Sequence, residues 1–401
     1  MKITGIRTVL YEYDQDRPIG DANSPRGRQH VAQLAVLVDT DAGIYGEAMG
    51  VPGAAGIMHG MARDLLVGED PRGVRGLWQR MVDVVFKGNN RGMVTDAISA
   101  LDVALWDLKA KANDEPLWKT LGAATPRARA YASGIDMPLS DEELAAFYTR
   151  MAGLGVTGGK LKVGLDMETD LRRLRIMRDA LATSGKTPEL MVDSNEYWSP
   201  KQAIRYLSRM EEEFDLTWAE EPARRWDYRG LRQVSRSIRA AVATGENLDH
   251  VSEFVPLITH EAVDVVEVGW GCSGITGALT VAELAYAFEL PVSVMNCPGN
   301  FMAHVAAVLP NHIAMEVVAA GRTKAMTVDN HIEEEMREPT HRHQQQQQTP
   351  VGPTLCAWQE QTDEGDAKMG QEAMRPQHAV VGKTTKEDVI DDIAVRRDSA
   401  A

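Results

Sequence analysis

The chain has 401 residues, 44% of them hydrophobic, and a formal net charge of −15. That length allows two domains with a sizeable buried core, and the acidic balance argues against nucleic acid or an anionic membrane surface as partner. Cys272, Cys297 and Cys356 show no paired spacing, MKITGIRTVLYEYDQD lacks an apolar signal core, and no run reaches membrane-spanning length, so a cytoplasmic enzyme is expected.

Taken in order, Ile3–Tyr11 and His30–Asp39 read as strands, with Asp41, Ala42 and Gly43 turning into a third at Ile44–Glu47. Asp14–Arg28 between the first two reads as a polar loop carrying Arg17, Asp21, Asn23, Arg26 and Arg28. Helical periodicity follows over Ala54–Leu66, Val74–Phe86 and Met93–Ala112, the last with an apolar stripe of Ala97, Leu101, Ala104, Leu105 and Leu108. Leu121, Gly122 and Pro126 close this region, and a domain boundary is placed there.

From Ala128 onward strands and helices alternate. Strands are expected near Ala128–Ile135, Gly159–Val163, Glu189–Val192, Leu216–Ala219, Ala241–Thr244, Val263–Val268, Pro291–Met295 and Ile313–Val317, with helices in the seven gaps. An open, doubly wound sheet would show similar spacing. What favours a closed barrel is that Asp193, Glu220 and Glu246 recur at intervals of 27 and 26 residues, one βα unit each. Parallel strands closed into a barrel converge their carboxyl ends on one mouth.

Three converging carboxylates without arginine partners repel one another, a conflict that a bound cation removes, and an all-oxygen set favours Mg²⁺. Lys160 and Lys162, two apart in GGKLKVG, face the same way on a strand. Two ammonium groups that close are expected to depress each other's pKa and free one as a base. Mg²⁺ holding a substrate carboxylate would stabilise the enediolate left by removal of the α-proton.

The KLK pair, the VDSN, EEP and GEN strand ends and the helix segment AISALDVALWDLKAKANDEPLWKTLG together resemble the mandelate racemase and muconate lactonising enzymes of the enolase superfamily, over roughly the first four-fifths of the chain. The resemblance implies a modified TIM-type (β/α)7β barrel over residues 126–320 with an α+β capping domain over 1–125. It implies Asp193, Glu220 and Glu246 as ligands of Mg²⁺, Lys162 as base with Lys160 beside it, and a homo-oligomer. It also places the Asp14–Arg28 region over the barrel mouth, making Arg17 and Asn23 candidate substrate contacts. Residues 321–401, with the run QQQQQ and no sustained periodicity, read as irregular or disordered where the family completes its cap.

Other candidates carry competing readings. Asn195 lies two past Asp193 and is either a substrate contact or a turn asparagine. Glu221 is expected to point away from Glu220 in a supporting role. Gly269–Gly274 fits GxGxxG, but no acid ends the next strand to hold a ribose, so a tight turn near the mouth is preferred to a nucleotide site. Mandelate racemase pairs an Asp and a His at the ends of strands six and seven; here Val268 or Gly269 stands at the first position and Asn296 near the second, and His304 reads as structural.

Racemisation needs groups on both faces of the enediolate, whereas one base on one face suffices for elimination. The preferred reading is therefore dehydration of a sugar acid to a 2-keto-3-deoxy acid, with Asn195, Asn296, Arg17 and Asn23 as substrate contacts. The alternatives are a racemase or epimerase with a far-side base such as His30 or His59, and a catalytically impaired relative serving binding or assembly.

Overall fold

The computed structural model describes residues 1–87, 90–295 and 301–318. The chain opens as a three-stranded antiparallel sheet of β1 (Ile3–Ile19), β2 (Arg28–Thr40) and β3 (Tyr45–Gly50) in that order. β1 is longer than its apolar alternation indicates. Pairing with β2 continues through Asp14 opposite His30 to Ile19 opposite Arg28, leaving residues 20–27 as the connection. Over residues 12–19 exposed and half-buried residues are mixed and the buried one is the polar Gln15, so the apolar periodicity of a half-buried strand is missing.

Helices α1 (Ala55–Met61), α2 (Val74–Val85), α3 (Met93–Asn113) and α4 (Leu117–Thr120) complete the cap, α1 passing into a π-turn over Ala62–Leu66. The expected stripe on α3 is buried, but so is almost every residue from Thr95 to Leu108. A helix buried on all sides lies between two partners. One is β3, whose Gly46 comes so close that an added Cβ would sit 1.9 Å from the Ala104 carbonyl oxygen. The other is the barrel.

Eight parallel strands form that closed barrel: β4 (Ala130–Ser133), β5 (Gly158–Lys162), β6 (Glu189–Asp193), β7 (Leu216–Glu220), β8 (Ala241–Thr244), β9 (Val265–Val268), β10 (Val292–Val294) and β11 (His312–Val317), with β11 pairing back onto β4. Between them run α5 (Asp141–Gly153), α6 (Met167–Ala182), α7 (Pro200–Met210), α8 (Tyr228–Ser235), α9 (Val251–Thr259), α10 (Gly274–Ala287) and α11 (Phe301–Ala306). Several start on side-chain caps: Ser140 with Glu143 and Ser199 with Gln202 form reciprocal capping boxes, and Asp166 accepts from the Thr169 amide. Inside, Tyr131, Met191, Trp218, Ala243, Val265 and Ala314 pack into an apolar plug, with the Tyr131 and Trp218 rings edge-to-face at 5.1 Å. Strand alternation then sends the next inward positions, nearer the mouth, to charged residues.

Two clusters of contacts are among those that pin the cap to the barrel. Gly20 of the β1–β2 connection bridges Asp136, its amide donating to the Ile135 carbonyl at 3.0 Å and its carbonyl accepting from the Met137 amide at 3.2 Å. At the N-terminus of α10, buried Asp102 of α3 accepts from the Thr276 amide at 2.8 Å and from its hydroxyl at 2.6 Å. The indoles of Trp78 and Trp106 donate to the Ser273 carbonyl at 2.8 Å and the Thr276 hydroxyl at 2.9 Å. Gly274 is obligatory here: its φ is +81°, and a Cβ would meet the Asp102 carboxylate at 2.5 Å. The GxGxxG segment is thus a turn shaped for the cap, the preferred of its two readings.

Candidate functional site

Lys160 and Lys162 at the end of β5, Asp193 at the end of β6 and Glu220 at the end of β7 are adjacent by register, Lys162 opposite Asp193 and Asp193 opposite Glu220. Glu246 follows β8 by two residues, after Gly245 at φ +137°, where a Cβ would lie 2.4 Å from the Glu267 carbonyl oxygen. Lys160 and Asp193 are fully buried, and Lys160 Nζ pairs with Glu220 while standing 3.4 Å from Asp193 and 3.2 Å from Glu316. Lys162 Nζ pairs with Asp193 and donates to Asn195 Oδ1 at 2.8 Å. Asn195 Nδ2 in turn reaches Glu246 Oε1 at 3.4 Å, so this asparagine sits between the candidate base and a candidate ligand.

The ammonium groups stand among the acids, and one expectation is corrected by that arrangement. Burial opposes the charged form of Lys162, and Lys160 opposes it too, but Asp193, backed by Glu246 and Glu220, outweighs both and raises its pKa above the ordinary lysine value. Lys160 is raised as well, burial again being outweighed, here by Glu220 and Glu316. Mutual lysine repulsion is therefore present but is not the controlling influence. Burial pushes Asp193 up, yet Lys162 and Lys160 hold it down at about 2. Burial, with Asp193 nearby, lifts Glu220 to about 8, and burial also raises Glu246.

Two acids at this level were missed in the sequence. Glu316 of β11 pairs with Lys160, and Glu267 of β9, fully buried, lies against Glu220; burial and that neighbour raise its carboxyl well above the ordinary range. Among the described residues, no three His, Cys, Asp or Glu side chains stand together as a metal-holding group. The lysines lie between the acids instead. The chemistry of the donor set nevertheless fits a hard divalent cation: Asp193, Glu220 and Glu246 offer carboxylate oxygens only, and five acidic groups face two ammonium groups.

The remaining candidates are placed as follows. Asn23 lies on the β1–β2 connection at the mouth, its Nδ2 donating to the Asn195 carbonyl at 2.8 Å. Arg17 is a strut between cap and barrel: its guanidinium donates to the Gly134 carbonyl and lies 6.0 Å over the Phe147 ring, and burial lowers its pKa. Its expected place in a loop is corrected with the length of β1. Glu221, at φ +43°, is buried and accepts from Asn247 Nδ2 at 2.7 Å, a supporting position. His30 and His59 are exposed on the cap, held at 3.0 Å by Asp14 and Thr8 respectively, and neither lines the cavity at the mouth. His304 is buried and accepts from the Trp118 amide, as a structural histidine does. Asn296 lies outside the described residues.

Above the acids a cavity of about 320 Å³ is lined by Glu246, Asn247 and Asp249 after β8, Arg225 after β7, Gly269 and Trp270 after β9, and Asp96 of α3. Met295 closes it beside the end of β10. Val268 and Gly269, where strand six ends, present no titratable group.

Comparison with known proteins agrees with this architecture. Residues 6–122 match the mandelate racemase/muconate lactonizing enzyme N-terminal domain, and residues 143–353 match the enolase C-terminal domain-like family. L-talarate/galactarate dehydratase of Salmonella typhimurium is 34% identical over 287 residues, 67% of this chain and 69% of that protein. A 3,6-anhydro-alpha-L-galactonate cycloisomerase of Streptomyces coelicolor is 32% identical over 65% of this chain and 71% of its own. A magnesium-bound racemase structure from Streptomyces coelicolor superposes with a TM-score of 0.72 at 30% identity, covering 79% of this chain and 89% of that one. With both domains matched, an eight-stranded barrel beneath an antiparallel cap, and acids at successive strand ends, the chain belongs to the mandelate racemase/muconate lactonizing enzyme family of the enolase superfamily.

Proposed function

We propose that the chain is a Mg²⁺-dependent lyase that removes the proton α to the carboxylate of a sugar acid and expels the β-hydroxyl, giving a 2-keto-3-deoxy acid. One observation supports this reading: Lys162 Nζ is held at the mouth by Asp193 and Asn195, while among the described residues Val268, Gly269 and Met295, at the ends of strands six and seven, carry no acid or base. A single-sided site can eliminate, since the lysine that takes the α-proton can return it to the departing hydroxyl. The relative that dehydrates talarate and galactarate supports the same class of reaction.

Asp193, Glu220 and Glu246 would hold the cation. Bound there, Mg²⁺ would supply the positive charge that stabilises a substrate carboxylate as it takes on a second negative charge. Lys162 in its neutral form takes the proton and returns it; a cation held by Asp193 would loosen the ion pair that keeps this amine charged. Lys160, fully buried beneath it, supplies a fixed positive charge toward the reacting carboxylate. Asn195 orients Lys162 through its carbonyl oxygen and Glu246 through its amide, and Asn23 fastens the β1–β2 connection over the mouth.

The test is 2-keto acid formation from a panel of aldonic and aldaric acids by the Mg²⁺-loaded protein, run beside Lys162→Met. Loss of product by about 1,000-fold or more in the variant is expected, in line with loss of a proton-transfer group. A variant retaining full activity would refute the assignment. Deuterium incorporation at the α-carbon with inversion, and no keto acid, would instead mark a racemase.

A further inference from the structure

The cavity borders the lysine cluster through Glu246, whose carboxylate accepts from the same Asn195 that holds Lys162. Asp96 and Asp249 line it as well. Asp96 lies in the first turn of α3, partly buried, and its carboxylate has no hydrogen-bond or ion-pair partner among the described residues. Among the described residues the Asp249 carboxylate accepts from one donor, the Gly92 amide, at 2.8 Å through Oδ2. Arg225 is the one cationic side chain lining the cavity among the described residues, and its charge is already matched. Its Nε and Nη2 donate to the two oxygens of Glu196 at 2.7 and 3.0 Å, and Nη1 donates to the Asn247 carbonyl at 2.7 Å.

We infer that this wall selects the far terminus of the substrate by charge: it admits a polyhydroxylated monocarboxylate of the aldonic class and repels a dicarboxylate. The inference rests on the proposed sugar-acid reading and narrows it. A carboxylate at the far end would be desolvated against two acidic side chains, with no unmatched cation lining the cavity among the described residues to receive it. Hydroxyl groups in the same place donate to the unpartnered oxygens of Asp96, and the Trp270 ring offers an apolar face to the C–H side of the chain. Burial and then Asp249 hold the Asp96 pKa up at about 6, so it is ionised at pH 8, where both charges act. The Salmonella relative, by contrast, is named for aldarates, which carry a carboxylate at each end.

The test is calorimetric binding at pH 8 to the Mg²⁺-loaded full chain carrying Lys162→Met, so that no ligand is consumed. The ligands are the matched pairs gluconate and glucarate, galactonate and galactarate, and xylonate and xylarate. Within any pair that binds, the monoacid is expected to bind about tenfold more tightly. Adding Asp96→Asn is expected to raise diacid affinity about fivefold while leaving the monoacid within about threefold, as removal of one nearby charge requires. Equal or tighter binding of the diacid overturns the inference, as does an equal shift of both ligands by Asp96→Asn or the failure of every monoacid to bind. The reaction is scored separately with the wild-type protein. A monoacid preference without keto acid formation sinks the dehydratase reading alone, and keto acid formed preferentially from a diacid sinks the charge inference alone.

Discussion

Replacing Asp102 with alanine probes the joint between cap and barrel. The side chain is fully buried and receives both the Thr276 amide and the Thr276 hydroxyl, at 2.8 and 2.6 Å. Alanine leaves those two donors without an acceptor in a closed space, at roughly 1–3 kcal/mol each. Taking the pair together as about 2–5 kcal/mol, and about 2–4 °C per kcal/mol for domains of this size, the first unfolding transition should fall by roughly 5–15 °C. Scanning calorimetry on wild type, Asp102→Ala and Asp102→Asn reads this directly. The pH dependence adds a second, independent reading. Burial, partly offset by the Thr276 contacts, raises the Asp102 pKa from 3.8 to about 7, so the folded protein holds a proton that the unfolded chain releases. The stabilisation this gives is complete below about pH 3.8 and is lost as pH rises through about 7, a change of roughly 4 kcal/mol at most. Wild type should therefore lose stability relative to Asp102→Asn between pH 5 and 8. An alanine variant melting within about 2 °C of wild type, or identical pH slopes for wild type and Asp102→Asn, would refute this account of the joint.

Gly274→Ala places a methyl group 2.5 Å from the same carboxylate at φ +81°, and should destabilise by about 2 kcal/mol or more, read as a lower denaturant midpoint. Asn23→Ala cuts the tie from the β1–β2 connection to the Asn195 carbonyl; KM should rise several-fold with kcat within about threefold, measured by steady-state kinetics.

Much of the site was legible because its logic is repeated. Asp193, Glu220 and Glu246 sit at equivalent points of consecutive βα units, so spacing alone predicts their convergence. Glu267 and Glu316 belong to the same layer but interrupt the apolar strands VVEV and HIAMEV singly, without a repeat. A usable signal was there, since a lone acid inside a strand covered on both faces requires a buried partner. The state of Lys162 was not legible, because its sign depends on whether Lys160 or Asp193 is the stronger neighbour, a matter of ångströms in the folded mouth. The place of Arg17 was hidden for a different reason: backbone pairing extends β1 through polar sequence, and carries that guanidinium onto Gly134 and Phe147.

Helix α3, 21 residues and so about 30 Å long, serves three structures at once. Its first turn supplies Asp96 to the cavity, its middle docks on α10 through Asp102 and Trp106, and Ala104 is packed against the backbone of Gly46. A lineage adapting to new substrates therefore has little room to shift this helix, because any axial slide that suits the cavity misaligns the other two contacts. The β1–β2 connection is moored at the mouth through Gly20 and Asn23 and is under no such triple constraint. Divergence in substrate range should accumulate in that connection, while α3 changes by exchanging single side chains in place.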